Sequence, residues 1–134
     1  MAKTFKIEVI TPEKVVYDDT VQSITAEGTE GSFGVLSDHA DMIAELQTGI
    51  LTISDVNNKT VRFALDGGFV EILSNNVIVL TDTCTKEGEV DVEKAMAEKA
   101  SAEKALLKVG SDVEKEKAKV ALKHATTLLK LANK

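Results

Sequence analysis

From Phe5 onward the chain alternates between apolar and polar residues. Phe5, Ile7 and Val9 share one face of an extended segment. Val21, then Ile24 and Ala26, continue the pattern with one irregular step. The spans Ile50–Ser54, Val61–Leu65, Phe69–Leu73 and Val77–Thr81 repeat it with β-branched and aromatic residues. Asn57-Asn58, Gly67-Gly68 and Asn75-Asn76 supply turn chemistry between them. Short strands at this spacing predict an all-β sandwich or barrel. The single proline, Pro12, follows the first strand, where a missing N–H costs the ladder little.

The pattern changes near residue 89. Glycine nearly vanishes, and Ala, Glu, Lys and Leu dominate, which is helical composition. Gly110-Ser111-Asp112 interrupts it once. Gly110 suits the left-handed end of one helix, and Ser111 or Asp112 suits the cap of the next. Two antiparallel helices follow, over 90–109 and 112–132, each about 30 Å long at 1.5 Å per residue. The fold class is therefore β then α: residues 1–86 form the sandwich or barrel, and 87–134 form a helical hairpin.

Residues at 3-4 spacing give the seam of that hairpin. They are Val92, Ala95, Lys99, Ala102, Leu106 and Val109 on the first helix. On the second they are Glu114, Ala118, Ala121, Ala125, Leu128 and Ala132. Alanine allows close approach but buries little area. A buried leucine contributes ~1.5–3 kcal/mol, and alanine much less. Two short helices so joined need the sheet or a partner to hold them. An ordinary appendage and a movable arm both fit this pattern.

Charge divides at the same place. Residues 1–89 carry 6 Lys/Arg and 15 Asp/Glu, whereas residues 90–134 carry 10 and 7. A basic arm thus follows an acidic body. The second helix opens on Asp112, Glu114 and Glu116 and closes on Lys123, Lys130 and Lys134, so part of this charge serves the helix dipole. The remainder suits docking on an acidic surface, either its own or a partner's. The net charge of −6 disfavours a phosphate backbone, and the absence of Trp with few other aromatics disfavours single-strand stacking, so nucleic acid is not an expected partner. Cys84 is the only cysteine, which fits a reducing compartment; its simplest role is that of a small buried apolar residue. The longest apolar runs, such as VIVL at 77–80, are far short of the ~20 residues of a spanning helix, and the N-terminus alternates at once. A cytosolic chain is expected, reaching a membrane only through partners.

Candidate chemistry is thin. Neither a phosphate-binding G-x-x-x-x-G-K-[ST] loop nor a G-x-S-x-G elbow occurs. The stretch Ser37-Asp38-His39-Ala40-Asp41 places a histidine among acids. In an extended backbone His39 and Asp41 share a face while Asp38 points away, so the stretch offers two ligands at most. Cys84 and His124 lack ligand spacing with it. A hydrogen-bonded loop histidine is expected in preference to a metal or catalytic one.

Residues 28–46, GTEGSFGVLSDHADMIAEL, and 67–73, GGFVEIL, together with TPEKVVYDD near the start, resemble the epsilon subunit of F-type ATP synthases, bacterial type. The family pattern falls on Gly34, Val35, Leu36, His39, Gly67, Gly68, Phe69, Glu71 and Ile72. The resemblance spans the whole chain, including the two-part architecture. It implies a flattened sandwich that clamps the foot of the gamma shaft and sits on the membrane rotor ring. It further implies a non-catalytic protein, peripheral on the cytoplasmic face of the cell membrane, requiring no cofactor. Glu30, Ser32, Phe33, His39, Asp41 and Met42 would lie at the gamma and ring interface. Ser32 stands where many relatives carry Glu, which implies a differently polar ring contact.

The same resemblance implies a two-state hairpin. Folded, it packs on the sandwich; extended, it reaches the catalytic alpha/beta head and suppresses ATP hydrolysis. Lys115, Lys117, Lys119 and Lys123 would then meet the acidic loop of beta subunits. Some bacterial relatives bind ATP in the folded hairpin through [IL]-D-x-x-R-A. Here the segment reads Val90-Asp91-Val92-Glu93-Lys94-Ala95. Lys94 offers a point charge without the planar fork of arginine, and His124 and Leu128 occupy the places of second-helix arginines, so regulatory ATP would be held weakly. Asp91 serves equally as a cap for the first helix. Two other readings stay open beside the resemblance: a free-standing adaptor whose basic arm binds an acidic protein, and a small metal enzyme built on His39.

Overall fold

Five strands close a ring. The computed structural model describes residues 3–108 and 110–133. Its strands are β1 (Phe5–Ile10), β2 (Val15–Gly28), β3 (Gly31–Val35), β4 (Met42–Asp55), β5 (Thr60–Leu73), β6 (Asn76–Leu80) and β7 (Cys84–Lys86). Hydrogen-bonded neighbours run β1-β6-β5-β4-β2, and a β1–β2 pairing closes the circuit. Among the described residues only β1 and β6 pair in parallel; β3 pairs with β2, and β7 with β5. The result is a flattened barrel. A single 3₁₀ turn (Glu87–Glu89) leads into α1 (Val92–Leu107) and α2 (Asp112–Asn133).

Strands β2, β4 and β5 are each 14 residues long and serve both layers. To do so they change which residue parity faces inward. On β5 the core residues are Phe63 and Leu65, then Val70 and Ile72. On β4 they are Leu46, then Leu51 and Ile53; on β2, Val21, then Ile24 and Ala26. A local irregularity between the two sets flips every later side chain. On β5 that irregularity is Gly67-Gly68. Both have positive φ, 81° and 124°, and a β-carbon on Gly68 would overlap the Leu80 carbonyl. Glycine is required there by conformation and by contact.

The expected turn at Gly67-Gly68 is therefore a kink inside one strand. Val61–Leu65 and Phe69–Leu73 are two halves of β5 rather than separate strands. Ile50–Ser54 is likewise the second half of a longer β4. The turn expected at Asn75-Asn76 sits one residue earlier: Ser74 and Asn75 take φ of 49° and 63°, the left-handed pair of a tight hairpin. Asn57-Asn58 does turn the chain, and the Asp55 carboxylate accepts from the amides of Asn57 (2.8 Å) and Lys59 (2.9 Å). Two strands escaped the periodicity. Strand β3 is five residues long with two glycines, and β7 is three residues long, too short to show alternation.

Helix α1 begins at Val92, with Asp91 as its cap accepting from the Lys94 amide at 3.1 Å. It ends at Leu107 with Lys108 extended, so the helix stops short of Gly110. Ser111 Oγ accepts from the Glu114 amide at 3.1 Å and caps α2. Two expected positions, Val109 of the seam and Lys134 of the basic end, lie outside the described residues.

In the seam, Ala95, Ala102, Ala118 and Ala125 are buried. Val92, Glu114 and Ala121 are exposed instead, at the edges of the contact. Leu131, not Ala132, is the fully buried residue near the end of α2. The reason is that α2 serves two neighbours. It packs on α1 through its alanines and on β4 and β5 through a different face, to which Leu131 belongs. Arg62 donates to the Leu131 carbonyl at 3.4 Å, and its Nε lies 3.6 Å from Glu87. Lys123 donates to Gln47 Oε1 at 2.9 Å, and His124 Nδ1 lies 2.7 Å from Asp66 Oδ1. The Asp66 carboxylate also accepts from the Thr83 hydroxyl. The hairpin is thus folded down on the barrel, with α1 resting chiefly on α2.

Candidate functional site

The loop between β3 and β4 holds the histidine among acids, and its carboxylates are already employed. The Asp38 amide donates to Asn75 Oδ1 at 2.6 Å, and Asn75 Nδ2 donates back to Asp38 Oδ1 at 3.1 Å. The Ser74 amide donates to Asp41 Oδ1 at 3.0 Å. Lys3 Nζ lies 3.3 Å from Asp38 Oδ2. Asp38 and Asp41 therefore clip this loop to the β5–β6 turn, whose left-handed residues need outside partners. His39 is half-exposed, and its Nδ1 lies 2.8 Å from the Ala40 carbonyl. A carbonyl only accepts, so Nδ1–H is the donor in this contact. Among the described residues no three His, Cys, Asp or Glu side chains gather to hold a metal.

The expected interface residues fall at the two ends of β3. Glu30 is exposed in the turn before it, with Ser32 exposed at its start. His39, Asp41 and Met42 lie beyond its other end. Phe33 and Met42 are half-buried and pack against the core, which leaves part of each for a partner.

A larger surface escaped the sequence reading. The outer face of β1, β6, β5 and β4 carries two apolar rows. In one, Phe69 lies beside Leu80, and Leu80 beside Ile10. In the other, Ile43 and Ile78 flank Glu71. Leu73 extends the patch at the turn. Ile43 is 70% exposed, and Phe69, Leu73 and Leu80 are about half-exposed. Among the described residues nothing covers them. A cavity of about 450 Å³ indents the face between Ile10, Pro12, Phe69 and Leu80. The signal was present: VIVL at 77–80 is apolar at both parities, as a strand covered on both faces must be. Exposed apolar side chains gathered in this way, here interspersed with Glu8, Glu45 and Glu71, mark a candidate interaction site.

A third region lies where α1 begins. Asp91, Lys94, His124 and Leu128 line one pocket of about 210 Å³, so the structure does bring these four together. Glu89 and Glu98 line it too. Lys94 therefore faces three carboxylates, of which Asp91 caps α1, and His124 is committed to Asp66.

Comparison with known proteins decides the family. Residues 4–87 match the family described as ATP synthase, Delta/Epsilon chain, beta-sandwich domain, and residues 89–133 match its long alpha-helix domain. The chain belongs to the ATP synthase delta/epsilon family. It is 36% identical over 132 residues to the ATP synthase epsilon chain of Desulforamulus reducens, covering 98% of this chain and 99% of that one. The epsilon chain of Syntrophomonas wolfei is also 36% identical, with 98% and 96% covered. The fold resembles a chain of the Euglena gracilis mitochondrial ATP synthase, OSCP/F1/c-ring, at a TM-score of 0.85 and 21% identity, covering 93% of this chain and 79% of that chain. A chain of the Tetrahymena thermophila mitochondrial ATP synthase central stalk and c-ring gives 0.70 at 21% identity, with 97% of each covered.

In this delta/epsilon chain the helical domain is seen docked. Lys115, Lys119 and Lys123 share one exposed face of α2 at i, i+4, i+8, while Lys117 lies on the other side. Lys123 is engaged with Gln47. Cys84 packs against the core, half-buried rather than enclosed; burial, and then the Glu89 charge, push its thiol up to about 11, so it stays protonated at neutral pH. Among the described residues no helix is long and apolar enough to cross a membrane.

The clip at Asp38 carries a pH signature. The Asn75 hydrogen bond, and then Lys3, hold the Asp38 carboxyl below its ordinary value. Its contribution is complete above the unfolded pKa of about 3.9 and is lost as pH falls through the lower folded value. Asp38→Asn should lower the melting temperature at neutral pH and flatten its decline on acidification. An unchanged acid decline in the variant would place the sensitivity elsewhere.

Proposed function

We propose that this chain is the non-catalytic central-stalk subunit of a rotary F-type ATP synthase. The barrel couples the gamma shaft to the membrane rotor ring, and the helical hairpin is a mobile brake on ATP hydrolysis. The chain would sit peripherally on the cytoplasmic face of the membrane, held there by the complex. One observation carries the stalk reading: a barrel of this family exposes the apolar face of Ile10, Ile43, Phe69, Leu73, Ile78 and Leu80, which nothing else among the described residues covers. Gamma is the partner we assign to it. Glu30, Ser32, His39 and Asp41, at the two ends of β3, are assigned to the ring side. Phe69→Asp and Ile43→Asp should each weaken co-assembly with gamma by more than tenfold, since an unpaired charge would be buried in an apolar contact. The fold should survive, because both side chains point away from the core. Undiminished assembly would remove this face from the interface.

The brake reading is supported by how little holds the hairpin. Small side chains line its seam, and among the described residues α2 meets the barrel through Leu131, half-buried Leu122, Leu128 and Leu129, and a few polar contacts. An element so held can exchange between two packings. On extension, Lys123 leaves Gln47 and joins Lys115, Lys117 and Lys119 in meeting the acidic loop of a beta subunit. Reversal of these four charges to Glu should raise ATP hydrolysis by the assembled complex several-fold. Unchanged hydrolysis would remove the electrostatic part of this proposal.

The pocket of Asp91, Lys94 and His124 is assigned to weak regulatory ATP. Lys94 supplies one charge to a phosphate, while Glu89, Asp91 and Glu98 oppose it. At about 210 Å³ the pocket holds only part of a nucleotide. Calorimetry on the chain with MgATP should give dissociation in the millimolar range. The absence of both heat and thermal shift would delete the site.

A further inference from the structure

The side of α2 away from the Lys94 pocket carries a cleft, two of whose lysines, Lys119 and Lys123, are among those assigned above to the extended hairpin. This cleft, of about 390 Å³, separates α2 from β4 and β2, lined by Lys119, Lys123, Thr126 and Lys130 on the helix and by Ile50 and Glu27 across from it. Positions 119, 123, 126 and 130 fall on one helical face. His124 and Leu128, which line the pocket at α1, lie roughly half a turn away. Among the described residues that line the cleft Glu27 is the one acid, and it is already engaged: its Oε2 accepts from the Ile50 amide at 2.5 Å and lies against Gly49. Three ammonium groups therefore face one committed carboxylate, in a chain whose net charge is −6.

Among the described residues nothing neutralises these lysines. Among the described residues neither Lys119 nor Lys130 makes an ion pair, and Lys123 reaches only the neutral amide of Gln47. Lys119 and Lys123 are like charges at i, i+4, an arrangement that costs stability until an anion joins them. Their spacing also indicates the shape of that anion. The three charges are strung along about 16 Å of helix, eleven residues at 1.5 Å each, instead of being pooled at one point. A single phosphate meets one or two of them; a linear chain of phosphates meets all three. The volume lies within the range of small-ligand clefts.

We propose that the α2–β4 cleft is a binding site for a short linear polyphosphate. Lys119, Lys123 and Lys130 act as point charges along it, and the Thr126 hydroxyl serves as a neutral donor. The site is distinct from the pocket at Lys94; it uses Lys119 and Lys123 with the hairpin folded, whereas the brake reading uses them with the hairpin extended.

The test is calorimetry on the full chain without magnesium, titrating sodium tripolyphosphate against orthophosphate at matched ionic strength. Tripolyphosphate should bind saturably at one site, and roughly tenfold or more tighter than orthophosphate. Lys119→Ala with Lys130→Ala should abolish that preference. Both side chains are exposed, so the variant should keep its circular dichroism spectrum. Lys94→Gln should leave binding unchanged. No saturable heat with millimolar tripolyphosphate, equal binding of the two anions, binding retained by the double variant, or binding lost in Lys94→Gln would each overturn the site.

Discussion

Among the described residues, α2 meets the barrel through one fully buried leucine, Leu131, with half-buried Leu122, Leu128 and Leu129 and three polar contacts. Leu131 seats the last turns of α2; Arg62, Asp66 and Gln47 reach up from β5 and β4 to meet the helix. The seam above is built on alanine. Each alanine lets the helices approach closely, and for the same reason each buries little surface. The barrel, by contrast, encloses a contiguous core running from Phe5 to Val79 that includes Ile7, Ile24, Leu51, Ile53 and Phe63. Two units so unequal in burial have unequal free energies of opening. A firm body with a lightly held arm follows from composition before any partner is considered.

The firmness of the body has its own cause. A five-strand circuit closes only if its long strands pass from one layer to the other. Each passage changes the parity of inward residues, and Gly67-Gly68 shows the cost: two residues that must have no β-carbon. The same kink turns Phe69, Glu71 and Leu73 outward beside Leu80 and Ile78. The geometry that closes the barrel thus also creates its exposed apolar face. The loop with His39 belongs to this construction. Its acids brace the turn that follows β5, which gives the two carboxylates beside the histidine a structural role.

Much of this was legible in the sequence. Alternation gave the barrel, the loss of glycine gave the hairpin, and Ser111 and Asp91 cap the helices as their residue types suggest. What alternation could not show was the parity change, because a kink and a turn both present as Gly-Gly between apolar runs. Strand β3 was hidden by its two glycines, and β7 by its length. The apolar outer face was visible as VIVL, a run apolar at both parities, but a run that short also fits a strand buried on both sides. The 3-4 spacing of a two-helix seam selects Ala132, whereas the sheet beneath the helices buries Leu131. The residues that depend on two neighbours at once were the ones a one-dimensional reading misplaced.

Hydrogen exchange on the free chain tests the central claim most directly. If α1 and α2 form a lightly held arm, their amides should exchange together, through an opening several kcal/mol smaller in free energy than that of the β4, β5 and β6 amides. The barrel should keep its protection while the helices exchange. Helix and strand amides exchanging with one common free energy would show a single cooperative unit, and the arm would have no independent existence.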